Sequence, residues 1–210
     1  LAAGVASGLW DRYGAQRPRF LVVEPEQADC LLQSALAGRP ARARGNVDSV
    51  MAGLACGETS PLAWRFLHPS VDVFMTVSDA HALAAMRMLA EGTHGDVPLV
   101  AGESAVAGLA ALEVLARSPA QRQAAGLDAT SRVLLISTEG ATAPSVYAGI
   151  VGRSARQVLA AQQDWLAREG IGECGLMARI EALAAIGAIA GGGVCRIALT
   201  DDDRRGRDRL

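Results

Sequence analysis

Short apolar runs and longer segments with a helical repeat alternate along the first two thirds of the chain. Four runs have the apolar character of buried strands: FLVVEP (20–25), VDVFMTV (71–77), VPLVAGES (97–104) and VLLI (133–136). Between the third and fourth runs, Ala105, Leu109, Leu112 and Ala116 lie on one helical face. Strands that alternate with helices are typical of a parallel sheet covered on both faces. The expected fold is therefore α/β, a partial three-layer arrangement around a parallel sheet.

Proline and glycine mark the expected ends of several helices. The pair Arg17-Pro18 ends a helix over the first sixteen residues, and Gly38 is the expected C-cap of a helix from Glu26 to Ala37. Either Ser78 or Asp79 is placed to cap the helix that follows the second strand.

The pattern changes after about Gly152. We expect three parts: an α/β domain over 1–152, a linker helix over 153–171 and a mostly helical tail over 172–210. The segment from Arg156 to Arg168 has the pattern of one polar helix. A narrow apolar stripe on a further helix is formed by Leu176, Ile180, Leu183 and Gly187.

The charge balance argues against nucleic acid or a membrane as a partner. The chain has 20 basic and 22 acidic residues and a formal net charge of −2, so no long-range attraction to polyanions is expected. The apolar stretch from Ala182 to Val194 is too short and too rich in glycine to span a membrane. Half of the residues are apolar, which is enough for a substantial core. We therefore expect a globular, cytoplasmic protein.

Cysteines and histidines give no sign of a metal site. The cysteines lack C-x-x-C spacing and the histidines are scattered: Cys30, Cys56, Cys174, Cys195, His68, His81 and His94. A zinc ribbon and a secreted disulfide scaffold are poorly supported, and a reducing compartment is expected. A disulfide between Cys30 and Cys56 is one alternative; two free thiols, the commoner state of buried cysteines, are the other.

Three segments combine glycine with short polar or acidic residues: MAGLACGE (51–58), AGES (101–104) and ISTEG (136–140). Glycine lets the backbone approach a flat ligand closely, and a hydroxyl or carboxylate beside it can contact a ring. Ligands of open α/β sheets bind at the carboxyl ends of strands. A strand that simply runs into a turn is the alternative interpretation of each segment by itself.

The order of VVEP, GNVDSVMAGLACGE, GES and LISTEG resembles the C-terminal half of the diaminopropionate ammonia-lyases, over residues 1–152. That family belongs to the fold-type II, tryptophan-synthase-β-like group of pyridoxal-phosphate enzymes. The resemblance implies pyridoxal 5'-phosphate as the cofactor and a small amino acid as the substrate. It also implies β-elimination of 2,3-diaminopropionate to pyruvate and ammonia by an intact enzyme that is a homodimer.

The resemblance also implies roles for particular residues. Ser137 matches the position that offers a hydroxyl to the pyridine nitrogen, with Thr138 as the alternative donor. Glu103 matches a carboxylate close to the ring, and Gly53 with the segment Ala55 to Gly57 matches the backbone wall along its face. A hydroxyl at the ring nitrogen leaves that nitrogen less readily protonated than a carboxylate would, which suits elimination over transamination.

Other parts of the family's active site have no counterpart here. The family's glycine-rich phosphate loop lies just before the residues that match Leu1, and its catalytic aspartates and Schiff-base lysine lie upstream. All 20 basic residues are Arg, and a guanidinium is not a usable imine-forming amine. We therefore expect a truncated chain without catalytic residues, with weak or absent cofactor binding and no activity alone.

Two alternatives belong to other functional classes. One is a non-catalytic interaction module that keeps the fold without the chemistry. The other rests on the tail, because residues 176–208 resemble the beginning of the zinc-dependent N-carbamoyl-amino-acid and allantoate amidohydrolases through the motifs GGVCR and ALTDDD. This second resemblance implies that the metal ligands of that family fall beyond Leu210, so no zinc site is expected in the tail.

Overall fold

The computed structural model describes residues 1–170, 184–189 and 193–197. Its α-helices are α1 (Ala2–Tyr13), α2 (Cys30–Ala37), α3 (Pro61–Ser70), α4 (Asp79–Glu91), α5 (Ala107–Arg117), α6 (Pro119–Ala125), α7 (Pro144–Val151) and α8 (Ala155–Arg168). Its strands are β1 (Leu21–Pro25), β2 (Val73–Val77), β3 (Ala184–Ile189) and β4 (Gly193–Ile197). None of the helices in these described ranges has the length and apolar character needed to cross a membrane.

The first two predicted strands are confirmed, and they pair in parallel. Leu21 lies opposite Val73 and Pro25 lies opposite Val77, so both strands end at the same edge of the sheet. The chain reaches β2 from β1 through α2 and α3, the kind of helical crossover that parallel pairing requires. The α/β class predicted from the alternating pattern is therefore correct.

The other two predicted strands are wrong: residues 97–104 and 133–136 belong to no named strand of the described sheet. The backbone N–H of Leu99 instead donates to the carbonyl of Leu89 in α4, at 2.8 Å. An apolar run indicates burial, whereas a strand also needs a hydrogen-bonded neighbour, which the run itself does not specify.

Two predicted helix caps are confirmed, whereas α2 begins at Cys30 and not at Glu26 as predicted. Gly38 closes α2 in the left-handed conformation at φ 65°, which a residue without a Cβ adopts without strain. Ser78 is the N-cap of α4, where its hydroxyl accepts a hydrogen bond from the backbone N–H of His81 at 3.4 Å. The cap prediction is therefore confirmed for Ser78 rather than Asp79, which is the first residue of the helix.

The main hydrophobic core contains the first residues of two polar segments, MAGLACGE and AGES. Met51 and Ala101, the first residues of MAGLACGE and AGES, are 0% and 2% exposed. They belong to one cluster with buried side chains of α4, α5 and α7, among them Met86, Leu109 and Tyr147. Full burial of a side chain the size of Met contributes about 1.5–3 kcal/mol, so the start of the first segment is firmly fixed by Met51.

Helix α8 is present as predicted and docks on the loop after α4. Ser154 and Gln157 form a capping box at its beginning. The side chain of Gln162 donates to the carbonyl of Pro98, and the indole N–H of Trp165 donates to the carbonyl of Gly95, each at 2.9 Å. The boundaries at 152 and 171 stay a prediction.

The mostly helical tail is a wrong prediction for the part of it that the structure describes. Ala184–Ile189 forms β3, which pairs antiparallel with β4 (Gly193–Ile197). The β-branched residues Ile186 and Ile189 favour a strand, and pairing with β4 outweighs the helical spacing of the apolar residues. The predicted stripe at Leu176, Ile180 and Leu183 lies outside the described residues, as do most of the residues that resemble amidohydrolases.

Candidate functional site

The three polar segments meet in space, and we call them the site loops: residues 51–58, 101–104 and 136–140. The backbone N–H of Gly53 donates to the hydroxyl of Ser104 at 2.9 Å. The backbone N–H of Ser104 donates to carboxylate oxygen Oε2 of Glu139 at 2.7 Å. The backbone N–H of Gly102 donates to the carbonyl of Glu139 at 2.9 Å. The three loops thus form one hydrogen-bonded unit, although they come from distant parts of the sequence.

Glycine is required where the loops touch. A Cβ on Gly102 would lie 2.7 Å from Cγ of Glu139 and would also collide with the carbonyl oxygen of Gly140. A Cβ on Gly53 would lie 2.9 Å from the hydroxyl oxygen of Ser104. The glycines in the first two motifs therefore permit close approach of protein backbone and side chains.

A cleft of about 600 Å³ opens beside this unit. Most of its wall is apolar and comes from α1, β1, α5 and residues 133–136. Gly53, Ser104, Thr138 and Glu139 add the polar edge formed by the site loops. An apolar cleft with a few convergent polar groups is the usual form of a small-molecule site.

The predicted site residues divide between this cleft and its surroundings. Gly53 and Thr138 line the cleft, whereas Glu103, Ser137, Ala55 and Gly57 lie outside its wall. The side chains of Ser137 and Thr138 are exposed and that of Glu103 is half-buried. Thr138, the alternative hydroxyl donor in the sequence interpretation, is thus better placed than Ser137 to contact a molecule in the cleft.

Sequence reasoning missed the two residues that join the loops, Ser104 and Glu139. Each stands next to a residue that was singled out, since Ser104 follows Glu103 and Glu139 follows Thr138. Glu103 and Ser104 lie in a turn and residues 136–140 lie outside any strand, so the local backbone conformation sets which of two neighbouring side chains faces another loop. Sequence reasoning therefore identified the correct motifs. Residue type did not show which residue of each motif joins the loops.

The segment before the first site loop is held from two sides. The carboxylate of Asp79, the first residue of α4, accepts hydrogen bonds from the hydroxyl of Ser49 at 2.6 Å and the N–H of Val50 at 3.1 Å. Val47 has φ +64°, a conformation that is strained for a β-branched residue. Its N–H donates to the carbonyl of Gln27 at 2.9 Å, a contact that helps to hold this turn.

Glu24, the penultimate residue of β1, fixes the beginning of α2. Its two carboxylate oxygens accept the backbone N–H groups of Leu31 and Leu32, each at 2.9 Å. Burial raises the pKa of Glu24, and these two hydrogen bonds oppose that rise because they favour the charged form. The glutamate of the VVEP motif therefore has a structural role, because it caps the beginning of α2.

Cys30 and Cys56 are both free, so the alternative of a disulfide between them is wrong. Cys30 is buried and Cys56, in the first site loop, is exposed. Burial raises the pKa of the Cys30 thiol to about 11, so this thiol is protonated at neutral pH. No cluster of three or more His, Cys, Asp or Glu residues suited to a metal ion occurs within the described ranges.

The cleft suits a flat aromatic cofactor in part. The backbone at Gly53 and the hydroxyl of Thr138 stand at its edge, and its remaining wall is largely apolar. None of the 210 residues is a lysine, so the chain has no side-chain amine for a covalent link to an aldehyde. The residues thus fit contacts to a ring and do not fit its covalent attachment.

Comparisons with known proteins place most of this chain in one family. A family model described as "Pyridoxal-phosphate dependent enzyme" matches residues 1–139. The diaminopropionate ammonia-lyase of Salmonella typhimurium (strain LT2) is 41% identical over 146 residues, which are 66% of this chain and 36% of that protein. This chain therefore spans little more than a third of that relative's length.

Two crystal structures of diaminopropionate ammonia-lyase from Escherichia coli have a similar fold. One is in complex with D-serine and has a TM-score of 0.65; the other is in complex with an aminoacrylate-PLP azomethine reaction intermediate and has a TM-score of 0.63. Each is 34% identical and covers 74% of this chain and 40% of the other chain. With the family model matching 139 of its 210 residues, the chain belongs to the pyridoxal-phosphate-dependent enzyme family.

Proposed function

We propose that residues 1–152 form the ring-facing part of a pyridoxal-phosphate-dependent ammonia-lyase that acts on 2,3-diaminopropionate and yields pyruvate and ammonia. The observation that carries this proposal is the convergence of the three site loops through Gly53, Ser104 and Glu139 at the edge of one cleft. Family membership and the similarity to diaminopropionate ammonia-lyases support the same conclusion.

The residues of this chain would hold the cofactor by contacts to its ring. Thr138, at the edge of the cleft, or Ser137 beside it would offer a hydroxyl to the pyridine nitrogen. Gly53 with Ala55 and Gly57 would form a backbone wall. Glu103, which is half-buried, is proposed to lie near the ring once the cofactor is bound. When bound, pyridoxal phosphate supplies an electron sink for elimination.

The amine that holds the cofactor must come from outside these 210 residues, because the chain contains arginine and no lysine. We therefore propose no catalytic residue within this chain and weak cofactor binding by the chain alone. The apolar cleft wall is a surface on which the lysine-bearing part of such an enzyme would pack, and the assembled enzyme would be a homodimer. The free thiols of Cys30 and Cys56 support a cytoplasmic location.

Titration with pyridoxal 5'-phosphate tests the proposal on the chain itself. Saturable quenching of tryptophan fluorescence with a high dissociation constant is expected, and Thr138→Ala should weaken it by about threefold to tenfold, as for the loss of one hydrogen bond. Thr93→Ala is the matched control and should have a smaller effect, because the hydroxyl of Thr93 donates to the carbonyl of Met88 in α4 and Thr93 does not line the cleft. Absence of any saturable change, also at millimolar cofactor, would favour the non-catalytic interaction module.

A further inference from the structure

We propose that Glu139 is a positioning residue that holds the three site loops in their relative places. It accepts three hydrogen bonds in the structure. Its carbonyl accepts from the N–H of Gly102 at 2.9 Å, its Oε2 from the N–H of Ser104 at 2.7 Å, and its Oε1 from the hydroxyl of Thr142 at 3.5 Å. Glu139 therefore forms two hydrogen bonds to the second site loop and one to Thr142, which follows its own loop.

The geometry explains why a carboxylate serves at this position. A hydrogen bond from a backbone N–H to a charged carboxylate is shorter and about twice as strong as a bond between neutral groups. The side chain of Glu139 lies across the second site loop, because its Cγ occupies the space beside Gly102 where a Cβ would otherwise lie. Gly102 thus makes room for Glu139, and Glu139 in turn fixes the backbone at Ser104.

The effect of Glu139 extends to the first site loop through Ser104. With its N–H bound to the carboxylate, Ser104 presents its hydroxyl to the N–H of Gly53 at 2.9 Å. Gly53 and Thr138 both line the cleft, and Thr138 precedes Glu139 directly in the chain. Glu139 therefore sets the distance between the backbone and hydroxyl groups that the proposed function assigns to the ring; only this consequence rests on the proposed function.

Backbone amide hydrogen exchange of the 210-residue chain, measured by NMR, tests the positioning role. Glu139→Ala removes the acceptor of the Ser104 N–H, and we expect exchange at Ser104 and Gly53 to accelerate by about tenfold or more. Glu139→Gln keeps one carbonyl oxygen for this N–H, so exchange should stay within about threefold of the unmodified chain. Glu113→Ala is the matched control, since Glu113 forms an i,i+4 ion pair with Arg117 on α5.

Two results would overturn the inference. One is unchanged exchange at Ser104 and Gly53 in Glu139→Ala; the other is equal acceleration throughout α4 and α5, which would indicate general destabilisation. Ser104→Ala provides a second test that does not depend on Glu139→Ala folding. This variant should expose the Gly53 N–H and leave the amide of residue 104 protected by Glu139. Unchanged exchange at Gly53 in that variant would also contradict the role of Ser104 in linking Glu139 to Gly53.

A pyridoxal 5'-phosphate titration of the same variants separates this inference from the proposed function. We expect the dissociation constant to rise by about fivefold or more in Glu139→Ala and to recover in Glu139→Gln, as for loss and retention of one hydrogen bond. If the cofactor binds to no variant while exchange follows the expected pattern, the proposed function fails and the positioning role stands. If cofactor affinity is equal in all variants, Glu139 does not position the ring contacts.

Discussion

Gly102 lies so close to Glu139 that a Cβ on the glycine would be 2.7 Å from Cγ of the glutamate, while its N–H donates to the glutamate carbonyl at 2.9 Å. The two motifs AGES and ISTEG are thus packed as well as hydrogen-bonded to each other. Any side chain at position 102 must separate them.

Gly102→Ala is therefore expected to lower the free energy of unfolding by about 1–3 kcal/mol, as overpacking of a close contact does. Gly149→Ala is the matched control, because nothing lies within 4 Å of the Cβ that it would add to α7. That control should raise stability by about 0.5–1 kcal/mol, the usual gain for alanine over glycine within a helix. Urea unfolding followed by circular dichroism measures both. Equal stability of the two variants would contradict the tight packing at Gly102.

Glu24 predicts a second stability effect, at the beginning of α2. Glu24→Ala leaves the N–H groups of Leu31 and Leu32 without their acceptors and should cost about 2–4 kcal/mol in the free energy of unfolding. Glu26→Ala changes a nearby exposed glutamate and should stay within about 0.5 kcal/mol. The same urea unfolding measurement compares them, and similar losses in both variants would show that the capping bonds contribute little.

Asp96 predicts a dependence of stability on pH. Burial raises the pKa of Asp96 from 3.8 to about 6, and the neighbouring His94 opposes the rise. The folded protein therefore binds the proton more tightly than the unfolded chain does. This contribution is fully present below pH 3.8 and is lost as the pH rises through about 6.

In Asp96→Asn this part of the pH profile should disappear. The free energy of unfolding of the unmodified chain, relative to the variant, should fall by about 1 kcal/mol between pH 4 and pH 7, less than for a fully buried group. Unfolding curves recorded across this range give the difference profile. A flat difference profile, or one of the opposite sign, would show that folding does not disfavour the charged form of Asp96.

Cys30 and Cys56 should differ in reactivity. Cys56 is exposed, whereas Cys30 is buried and has its pKa raised to about 11. Iodoacetamide at neutral pH should thus modify Cys56 and leave Cys30 unmodified until the protein unfolds. Peptide mapping by mass spectrometry after a short exposure distinguishes the two sites. Equal labelling of Cys30 in the folded protein, or a peptide that links Cys30 to Cys56 by a disulfide, would contradict the structure.

How well the sequence predicts a helix or strand depends on whether local or distant interactions stabilise it. Apolar runs and local caps determine β1, β2 and the two ends at Gly38 and Ser78, because burial and capping depend on nearby residues. Strand pairing depends on a neighbour that can be far away in sequence. The same kind of apolar run therefore predicts β2 correctly and fails at residues 97–104.

The candidate site shows a similar limit at the level of single residues. The motifs AGES and ISTEG identify where polar groups converge. They do not indicate that Ser104 and Glu139, rather than Glu103 and Ser137, form the hydrogen bonds between the loops. That distinction depends on backbone direction at each residue, which residue type does not encode.

The most direct test of the account measures pyruvate from 2,3-diaminopropionate and pyridoxal 5'-phosphate in a mixture of two polypeptides. One is this 210-residue chain; the other is the part of the Salmonella typhimurium diaminopropionate ammonia-lyase that it does not match, where the family's lysine is expected. We predict pyruvate from the mixture and none from either polypeptide alone. Pyruvate from the 210-residue chain by itself, with pyridoxal linked to one of its side chains after borohydride reduction, would contradict the account.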